Sequence, residues 1–195
     1  MITYIDSKNC QKVWGLMRAV ELLQAVRYEP AGEKIRFPDR EISGVSIDSR
    51  DCREGSVFVC IRGSVCNGSR YAKEAVRHGA KVLVAAKEEQ ELIGKILGQF
   101  PECEGVLVED EREAAALLAA RYEGDPSRSM TMIGITGTKG KTTTVSMIRK
   151  ILSEAGIRTG MIGTTGQFDG KEHLPSEHTT PDAVTLQRSL ARMRK

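Results

Sequence analysis

Short runs of apolar residues with helical or β-strand spacing organise the first 125 residues. Between residues 16 and 26 the apolar side chains recur every three or four positions, which predicts one face of a helix. Runs rich in β-branched residues, bounded by polar or turn-forming residues, predict strands. The predicted strands cover residues 43–47, 56–61, 81–86 and 105–108. The predicted helices cover residues 16–26, 71–78 and 110–122.

The last of these helices opens with Asp110 and Glu113 in a capping-box arrangement. Residues 124–129, which follow it, concentrate turn-forming residues and so predict a boundary between domains. We therefore predict one domain over residues 1–125 and a second over residues 126–195. Since strands and helices alternate in both, the predicted fold class is α/β with at least some parallel pairing.

The second predicted domain contains few elements. A strand over residues 130–136 leads through a glycine-rich loop into a helix that ends near Ala155. A further strand covers residues 158–162, and a last helix begins at Pro181 with Thr180 as its N-cap. These two strands are fewer than the roughly five or six of a usual sheet. We therefore expect this domain to be cut short.

Composition excludes several classes of function. The 29 Lys and Arg residues against 26 Asp and Glu give a net charge of +3, too small a surplus to predict nucleic-acid binding. Aromatic residues make up only 5% of the chain, which leaves no platform for stacked bases. No apolar run approaches the ~20 residues that a membrane span needs. We predict no nucleic-acid partner and no membrane span.

The cysteines give no sign of a disulfide framework. They are five in number, and none forms a Cys-x-x-Cys pair of the kind found in zinc ribbons. The N-terminus also lacks the basic region and apolar core of an export signal. We therefore expect reduced thiols and a cytoplasmic location.

The strongest functional pattern is GITGTKGKTTT, residues 134–144, between a predicted strand and a predicted helix. Gly137 and Gly140 allow backbone angles that turn consecutive N–H groups inward, and the helix N-terminus adds its positive dipole end. Such loops bind phosphate groups. We expect Lys141 to contact the β- and γ-phosphates of a bound nucleotide, and the Thr142 hydroxyl to ligate Mg²⁺.

This loop departs from the usual phosphate-binding pattern at one position. Ile135 stands where that pattern has its first glycine, and Gly134 and Gly137 flank it instead. The alternative interpretation is an ordinary glycine-rich turn between a strand and a helix. The Gly-Lys-Thr sequence in this context favours phosphate binding.

The loop resembles that of the ATP-dependent Mur ligases of peptidoglycan synthesis, whose central domain carries a Gly-Thr-x-Gly-Lys-Thr loop. Thr138 and the threonines of residues 142–144 fit that family, whereas Lys139 stands where it usually has Asn. The resemblance implies a Rossmann-like, mainly parallel P-loop domain. The residues it implies for ATP binding are Gly137, Thr138, Lys139, Gly140, Lys141, Thr142 and Thr143.

Two further segments resemble the UDP-N-acetylmuramoyl-tripeptide synthetases of this family. The sequence DSR at residues 48–50, followed by GSVFVCIRG at residues 55–63, is similar to the signature of their small UDP-binding domain. TTPD at residues 179–182 is similar to their segment that contacts the sugar-peptide substrate. One departure is Asn-Gly-Ser at residues 67–69, where the family commonly has Asp-Gly-His.

The same resemblance assigns residues to the UDP-sugar-peptide. Those expected at the uracil end are Ile47, Ser49, Ser64, Val65 and Cys66. Those expected at the muramoyl-peptide part are His178, Thr179 and Thr180. A turn at residues 48–50 and a helix N-cap at Thr180 are the alternative, purely structural interpretations.

In this family, ATP phosphorylates the D-glutamate carboxylate of UDP-MurNAc-L-Ala-D-Glu, and the amine of a diamino acid then displaces phosphate. The resemblance implies ATP and Mg²⁺ as cofactors and these small molecules as partners. It leaves open whether the amino acid is meso-diaminopimelate or L-lysine. The family's remaining metal ligands, carbamylated lysine and C-terminal domain are not found in the 195 residues.

We therefore expect a fragment that is inactive by itself and can self-associate through its partial domain. Two other functions stay open from the residues. One is a stand-alone module that binds a nucleotide or a UDP-sugar-peptide. The other is a general P-loop nucleotidase.

Overall fold

The computed structural model describes residues 2–5, 17–32, 40–63, 66–174 and 180–195, with residues 2–5 described by their backbone alone. These residues form two units. The first unit contains the described residues from 17 to 122, and the second contains residues 2–5 and the described residues from 123 to 195. Strand β1 (Ile2–Ile5) belongs to the second unit, because it pairs with two strands of that unit. It therefore lies outside the unit that corresponds to the predicted domain of residues 1–125.

Eleven strands and six α-helices follow β1 in the described part of the chain. The strands are β2 Met17–Arg18, β3 Glu29–Pro30, β4 Glu41–Ile42, β5 Gly44–Ser46, β6 Ser56–Val59, β7 Ala80–Ala86, β8 Glu104–Val108, β9 Met130–Ile133, β10 Thr159–Gly163, β11 Gly166–Phe168 and β12 His173–Leu174. The helices are α1 Ala19–Leu23, α2 Ala72–Arg77, α3 Gln90–Gln99, α4 Glu111–Tyr122, α5 Lys141–Glu154 and α6 Ala183–Arg194. None of these helices has the length and apolar character to cross a membrane.

The first unit is built on a five-stranded sheet of order β3-β8-β7-β6-β5. Strands β5 to β8 run parallel, and β3 is added antiparallel to β8 at the edge. Parallel strands that are covered on both faces have nearly continuous apolar sequences. Strands β6 and β7 have this character and are buried almost throughout. The predicted α/β fold with parallel pairing is confirmed here.

The main core of this unit lies between the sheet and helices α2 and α3. Phe58 of β6 and Leu83 of β7 pack there with Ile93 of α3, and each is at most 1% exposed. Because successive residues of a strand point to opposite faces, Val57 and Val84 face away from this cluster, and both are fully buried as well. Helix α4 contacts β5, β6 and β7. Helices thus bury apolar side chains on the central strands.

Two helices of this unit differ from the sequence prediction. The acidic run of residues 88–91 indicates a helix start in the sequence, but Gly94 and Gly98 lower the helix propensity of the residues that follow, and α3 is not among the predicted helices. Burial of Ile93 and Ile96 against the sheet compensates for that cost. The helix predicted over residues 16–26 is reduced to α1, because Met17 and Arg18 pair with β4 instead.

The second unit has a five-stranded sheet of order β12-β11-β10-β1-β9, in which each neighbouring pair is antiparallel. Strands β9 and β10 both run antiparallel to β1, so they run parallel to each other. This is the relation expected of two strands connected by a crossover helix, here α5. Strand β1 lies between them, and short strands β11 and β12 extend the sheet beyond β10. The sequence pattern predicts only β9 and β10 of these five strands.

Helices α5 and α6 each bury one apolar stripe. Val145 of α5 packs with Met161 of β10. Met193 of α6 packs with Met130 and Ile162. Helix α6 begins later than predicted, because Asp182 and not Thr180 is its N-cap. The Asp182 carboxylate accepts hydrogen bonds from the Thr185 backbone N–H at 2.9 Å and from the Thr185 hydroxyl at 2.6 Å.

Candidate functional site

The predicted phosphate-binding loop connects β9 to α5, as the sequence analysis expects. Strand β9 ends at Ile133, and α5 begins at Lys141 with Gly140 as its N-cap residue. Gly140 has a φ of +79°, in the left-handed region that favours glycine. A Cβ atom at Gly140 would meet nothing within 4 Å, so this backbone angle, and not crowding, is the reason for glycine here. The loop is open to solvent over most of its length.

Lys141 folds back over this loop. Its Nζ atom donates a hydrogen bond to the carbonyl oxygen of Gly137 at 2.5 Å, and the side chain remains exposed. The ammonium group therefore lies at the mouth of the loop. Of the other loop residues predicted to bind ATP, Thr138, Lys139 and Thr143 are exposed.

The Thr142 hydroxyl has a partner that the sequence analysis does not identify. Its Oγ1 atom lies 3.0 Å from Oγ1 of Thr164, within hydrogen-bonding distance. Thr164 and Thr165 form the two-residue turn between β10 and β11, where Gly163 pairs with Gly166. Thr-Thr is not one of the usual two-residue hairpin sequences, so the signal in the sequence is Gly166, which has a φ of +102° after the turn.

A cavity of about 320 Å³ adjoins the loop within this second unit. Residues far apart in the sequence meet at its wall. Its polar lining includes Lys141, Thr142, Thr164, Thr165 and Thr180. Thr180, predicted to hold the muramoyl-peptide, thus lies on the same cavity as two residues predicted to hold ATP. His178 and Thr179 lie outside the described residues.

Ile47, Ser49 and Cys66, the described residues among those predicted for the uracil end, lie at one edge of the first sheet. Ile47 follows β5, and Cys66 belongs to the loop after β6; these strands are parallel neighbours, so their carboxyl ends share an edge. Ligands of open parallel sheets bind outside that edge. Ser64 and Val65, which precede Cys66, lie outside the described residues.

Ser49 is nearly buried, with 5% of its surface exposed. Its hydroxyl donates to Glu74 of α2 at 3.0 Å, and its carbonyl oxygen lies 2.7 Å from Nδ1 of His78. Both contacts fix the turn that follows Ile47. A hydroxyl that donates one hydrogen bond can still accept another, so these contacts are compatible with a ligand at Ser49.

Asp48 and Arg50 form an ion pair beside Ser49. The Arg50 side chain donates to both oxygens of the Asp48 carboxylate, and the Arg50 backbone N–H donates to one of them at 2.9 Å. The side-chain hydrogen bonds and then the backbone one lower the pKa of Asp48 from 3.8 to about 2. The turn interpretation of residues 48–50 is thus present in the structure.

Replacing Arg50 with Ala is expected to raise the pKa of Asp48 toward 3.8. Because the pKa is lower in the folded protein, the pair stabilises the fold above pH 3.8, and this contribution is lost as the pH falls to about 2. The pKa is measured from the carboxyl carbon shift in an NMR pH titration. Arg53→Ala is the matched control, since Arg53 donates to the Ser43 carbonyl instead. A low pKa in Arg50→Ala would show that the backbone N–H alone is responsible.

The loop after β6 is held by acidic side chains from two other elements. Glu111 of α4 accepts from the backbone N–H of Arg62 at 3.0 Å, and Glu89 accepts from the Asn67 side chain at 2.6 Å. A Cβ atom at Gly68 would lie 2.7 Å from the carbonyl oxygen of Ile61, so glycine is required there. The sequence gives no signal for a supporting role of Glu89 and Glu111, because both lie in acidic runs that indicate solvated helix starts.

The described cysteines are free thiols. Cys52, Cys60 and Cys103 are buried, and this burial raises their thiol pKa values to about 11, 12 and 12. Cys66 is only partly buried, and its Sγ atom lies 3.6 Å from the Tyr71 hydroxyl. Cys66 is therefore the most accessible thiol in the described residues.

Comparison with known proteins gives matches over most of the chain. Residues 41–123 match the family model described as the Mur ligase family, catalytic domain, and residues 135–195 match that of the Mur ligase middle domain. A UDP-N-acetylmuramoyl-L-alanyl-D-glutamate--2,6-diaminopimelate ligase of Clostridium botulinum is 40% identical over 154 residues, 79% of this chain and 31% of the relative. The protein of the same name from Bacillus velezensis is 36% identical over 177 residues, 91% of this chain and 34% of the relative.

Solved structures show the same fold. A UDP-N-acetylmuramoyl-L-alanyl-D-glutamate--2,6-diaminopimelate ligase matches with a TM-score of 0.63 at 24% identity, over 91% of this chain and 34% of that chain. MurF from Acinetobacter baumannii matches with a TM-score of 0.56 at 23% identity, over 91% of this chain and 33% of that chain. The chain thus spans about a third of the length of the curated relatives it matches. Because the chain matches both family models, it belongs to the Mur ligase family, and it contains the regions that correspond to the N-terminal and middle domains of that family.

Proposed function

We propose that the chain supplies the UDP-sugar-binding domain and the ATP-binding loop of a ligase that attaches a diamino acid to UDP-MurNAc-L-Ala-D-Glu. The names of the relatives support this substrate, and they favour 2,6-diaminopimelate over L-lysine as the added amino acid. Because the chain spans about a third of those relatives, the activity is proposed for an enzyme that contains these domains. It is not proposed for residues 1–195 by themselves.

The observation that carries this proposal is the shared cavity. Lys141 and Thr142 of the loop line it together with Thr180 of the segment that resembles the family's substrate-binding motif. Phosphoryl transfer is catalysed mainly by positioning the two reactants and neutralising charge. A single cavity lined by both sets of residues would bring the γ-phosphate of ATP and the acceptor carboxylate within reach of each other.

The proposed reaction has two steps. The D-glutamate carboxylate attacks the γ-phosphorus of ATP, which gives an acyl phosphate and ADP. The amine of the diamino acid then attacks the acyl carbon, and phosphate leaves as the amide forms. In the first step, Lys141 would exchange the Gly137 carbonyl for a phosphate oxygen, and the N–H groups at the start of α5 would stabilise the same charge.

The residues present fit a magnesium ion that is bound together with nucleotide. Mg²⁺ usually takes one or two protein ligands and completes its shell with water and phosphate oxygens. Thr142 offers a hydroxyl at the cavity wall. In the described parts of the chain, no cluster of three His, Cys, Asp or Glu side chains could hold a metal ion by itself. Bound Mg²⁺ would neutralise phosphate charge during transfer.

The UDP-sugar is proposed to bind at the edge of the first sheet, beside Ile47, Ser49 and the loop of residues 64–66. Glu74, Glu89 and Glu111 accept hydrogen bonds that fix the segments that form this edge. A site assembled in advance loses less conformational entropy on binding than a flexible one. These acidic residues would support the site without contacting the ligand.

Bound UDP-MurNAc-L-Ala-D-Glu is expected to slow alkylation of Cys66 by iodoacetamide. The measurement is made at pH 8 on the Cys10→Ser variant. This substitution removes the one thiol that lies outside the described residues. The raised pKa values of Cys52, Cys60 and Cys103 keep these thiols protonated at that pH. Mass spectrometry of the Cys66 peptide gives the labelling rate.

UDP is expected to protect Cys66 as well, at higher concentration, whereas ATP is the control ligand and should not protect it. Unchanged labelling at millimolar UDP-MurNAc-L-Ala-D-Glu would contradict the proposed UDP-sugar site. Equal protection by ATP would mean that this edge binds nucleotides without regard to the base or the sugar.

A further inference from the structure

The hydroxyl groups of Thr142 and Thr164 meet at the wall of the cavity in the second unit. Thr142 is in the first turn of α5, and Thr164 is in the turn between β10 and β11. Their Oγ1 atoms lie 3.0 Å apart, and either oxygen can be the donor. The direction of this hydrogen bond therefore depends on what else each hydroxyl binds.

We propose that Thr164 is a positioning residue that accepts the Thr142 proton when Thr142 binds a cation. This inference rests on the proposed function. A hydroxyl that ligates Mg²⁺ presents a lone pair to the ion, so its proton must point to another acceptor. Thr164 Oγ1 is at hydrogen-bonding distance for that role. Partners of this kind orient metal ligands, and their loss weakens metal binding.

The turn that carries Thr164 is suited to hold its hydroxyl in place. Gly163 and Gly166 are paired across β10 and β11, so Thr164 and Thr165 alone connect the two strands. Two-residue hairpin turns have few allowed backbone conformations. Helix α5 also contacts β10 directly. The backbone positions of the two residues are therefore constrained by the pairing of β10 with β11 and by the contact of α5 with β10.

The neighbour Thr165 provides a matched control. It lines the same cavity and has the same side chain, but the hydrogen bond to Thr142 is made by Thr164. Thr164→Val removes the hydroxyl and keeps the β-branched shape, Thr164→Ser keeps the hydroxyl, and Thr165→Val removes the neighbouring hydroxyl. These three variants separate the hydrogen bond from general effects on the cavity.

The test measures ATP binding to the 195-residue chain by calorimetry, in EDTA and over a series of Mg²⁺ concentrations. In Thr164→Val the affinity for ATP in EDTA should be unchanged, whereas the Mg²⁺ concentration that gives half of the magnesium effect should rise on the order of tenfold. Thr164→Ser and Thr165→Val should both behave like the unmutated chain. An unchanged magnesium requirement in Thr164→Val would overturn the proposal.

A double-mutant cycle shows whether Thr164 acts through Thr142. In a Thr142→Val background, Thr164→Val should have no further effect, because there is no hydroxyl left to orient. Additive losses would overturn the proposal, since they would show that Thr164 contacts the cation or the phosphates itself. Weaker ATP binding in EDTA would also overturn it. No magnesium-dependent ATP binding by the unmutated chain would overturn the proposed function and this inference together.

Discussion

Replacing Lys141 with Ala is expected to weaken the binding of Mg·ATP by about 1.5–3 kcal/mol, the usual contribution of a hydrogen bond to a charged group. Lys141 lines the cavity beside the loop, and its ammonium group already reaches across to the carbonyl oxygen of Gly137. A phosphate oxygen in place of that neutral carbonyl gives a stronger, charge-assisted hydrogen bond. Calorimetry with Mg·ATP measures the loss.

Lys139→Ala is the matched control for this prediction. It removes the same charge two positions away, from an exposed side chain that is not part of the cavity wall. Its effect on ATP binding should be much smaller, and it should shrink further as added salt screens the charge. Equal losses in the two variants would indicate diffuse attraction of ATP to basic residues. An unchanged affinity in Lys141→Ala would contradict the assignment of the phosphate-binding loop.

Sequence patterns are sufficient where a local signal determines the structure. The β-branched run in β6 and the helical spacing in α5 predict these elements, because burial on the sheet requires those patterns. The glycine-rich loop is predictable for a similar reason. A φ of +79° at Gly140 and a helix starting at Lys141 are both consequences of residues within the loop itself.

Sequence patterns do not predict an element whose formation or boundary depends on contacts with other parts of the structure. Strands β1 and β12 contain four and two residues and gain their stability from the strands beside them. The start of α6 is a choice between Thr180 and Asp182, both good N-cap residues, and the local sequence does not distinguish them. The hydrogen bond to Asp182 resolves that choice in the structure.

The candidate sites likewise contain some residues that the sequence predicts and others that it does not. The loop and the DSR motif can be recognised in the sequence, but the side chains that hold them come from elsewhere. Thr164 lies 22 residues after Thr142, and Glu111 lies 49 residues after Arg62. No rule of local sequence spacing predicts such pairs, because the two residues come together only when the unit folds. Supporting residues are therefore best found from coordinates.

Replacing Phe58 with Ala is expected to reduce the free energy of unfolding of the first unit by about 3–5 kcal/mol, the range for removing a buried aromatic side chain. Phe58 is 1% exposed and lies in the cluster between β6, β7 and α3. The large cost includes both the lost apolar burial and the cavity that remains. The measurement is hydrogen exchange of the β6 and β7 amides, because it reports on this unit separately from the second one.

The matched control is Leu117→Ala on α4, which shortens an apolar side chain that is 41% exposed in the same unit. Its cost should be about 0.5 kcal/mol, as for most surface substitutions. Because β6 leads directly into the loop that carries Cys66, Phe58→Ala should also weaken protection of Cys66 by UDP, whereas Leu117→Ala should not. A loss below about 1 kcal/mol in Phe58→Ala would mean that this cluster is not the stabilising core of the unit.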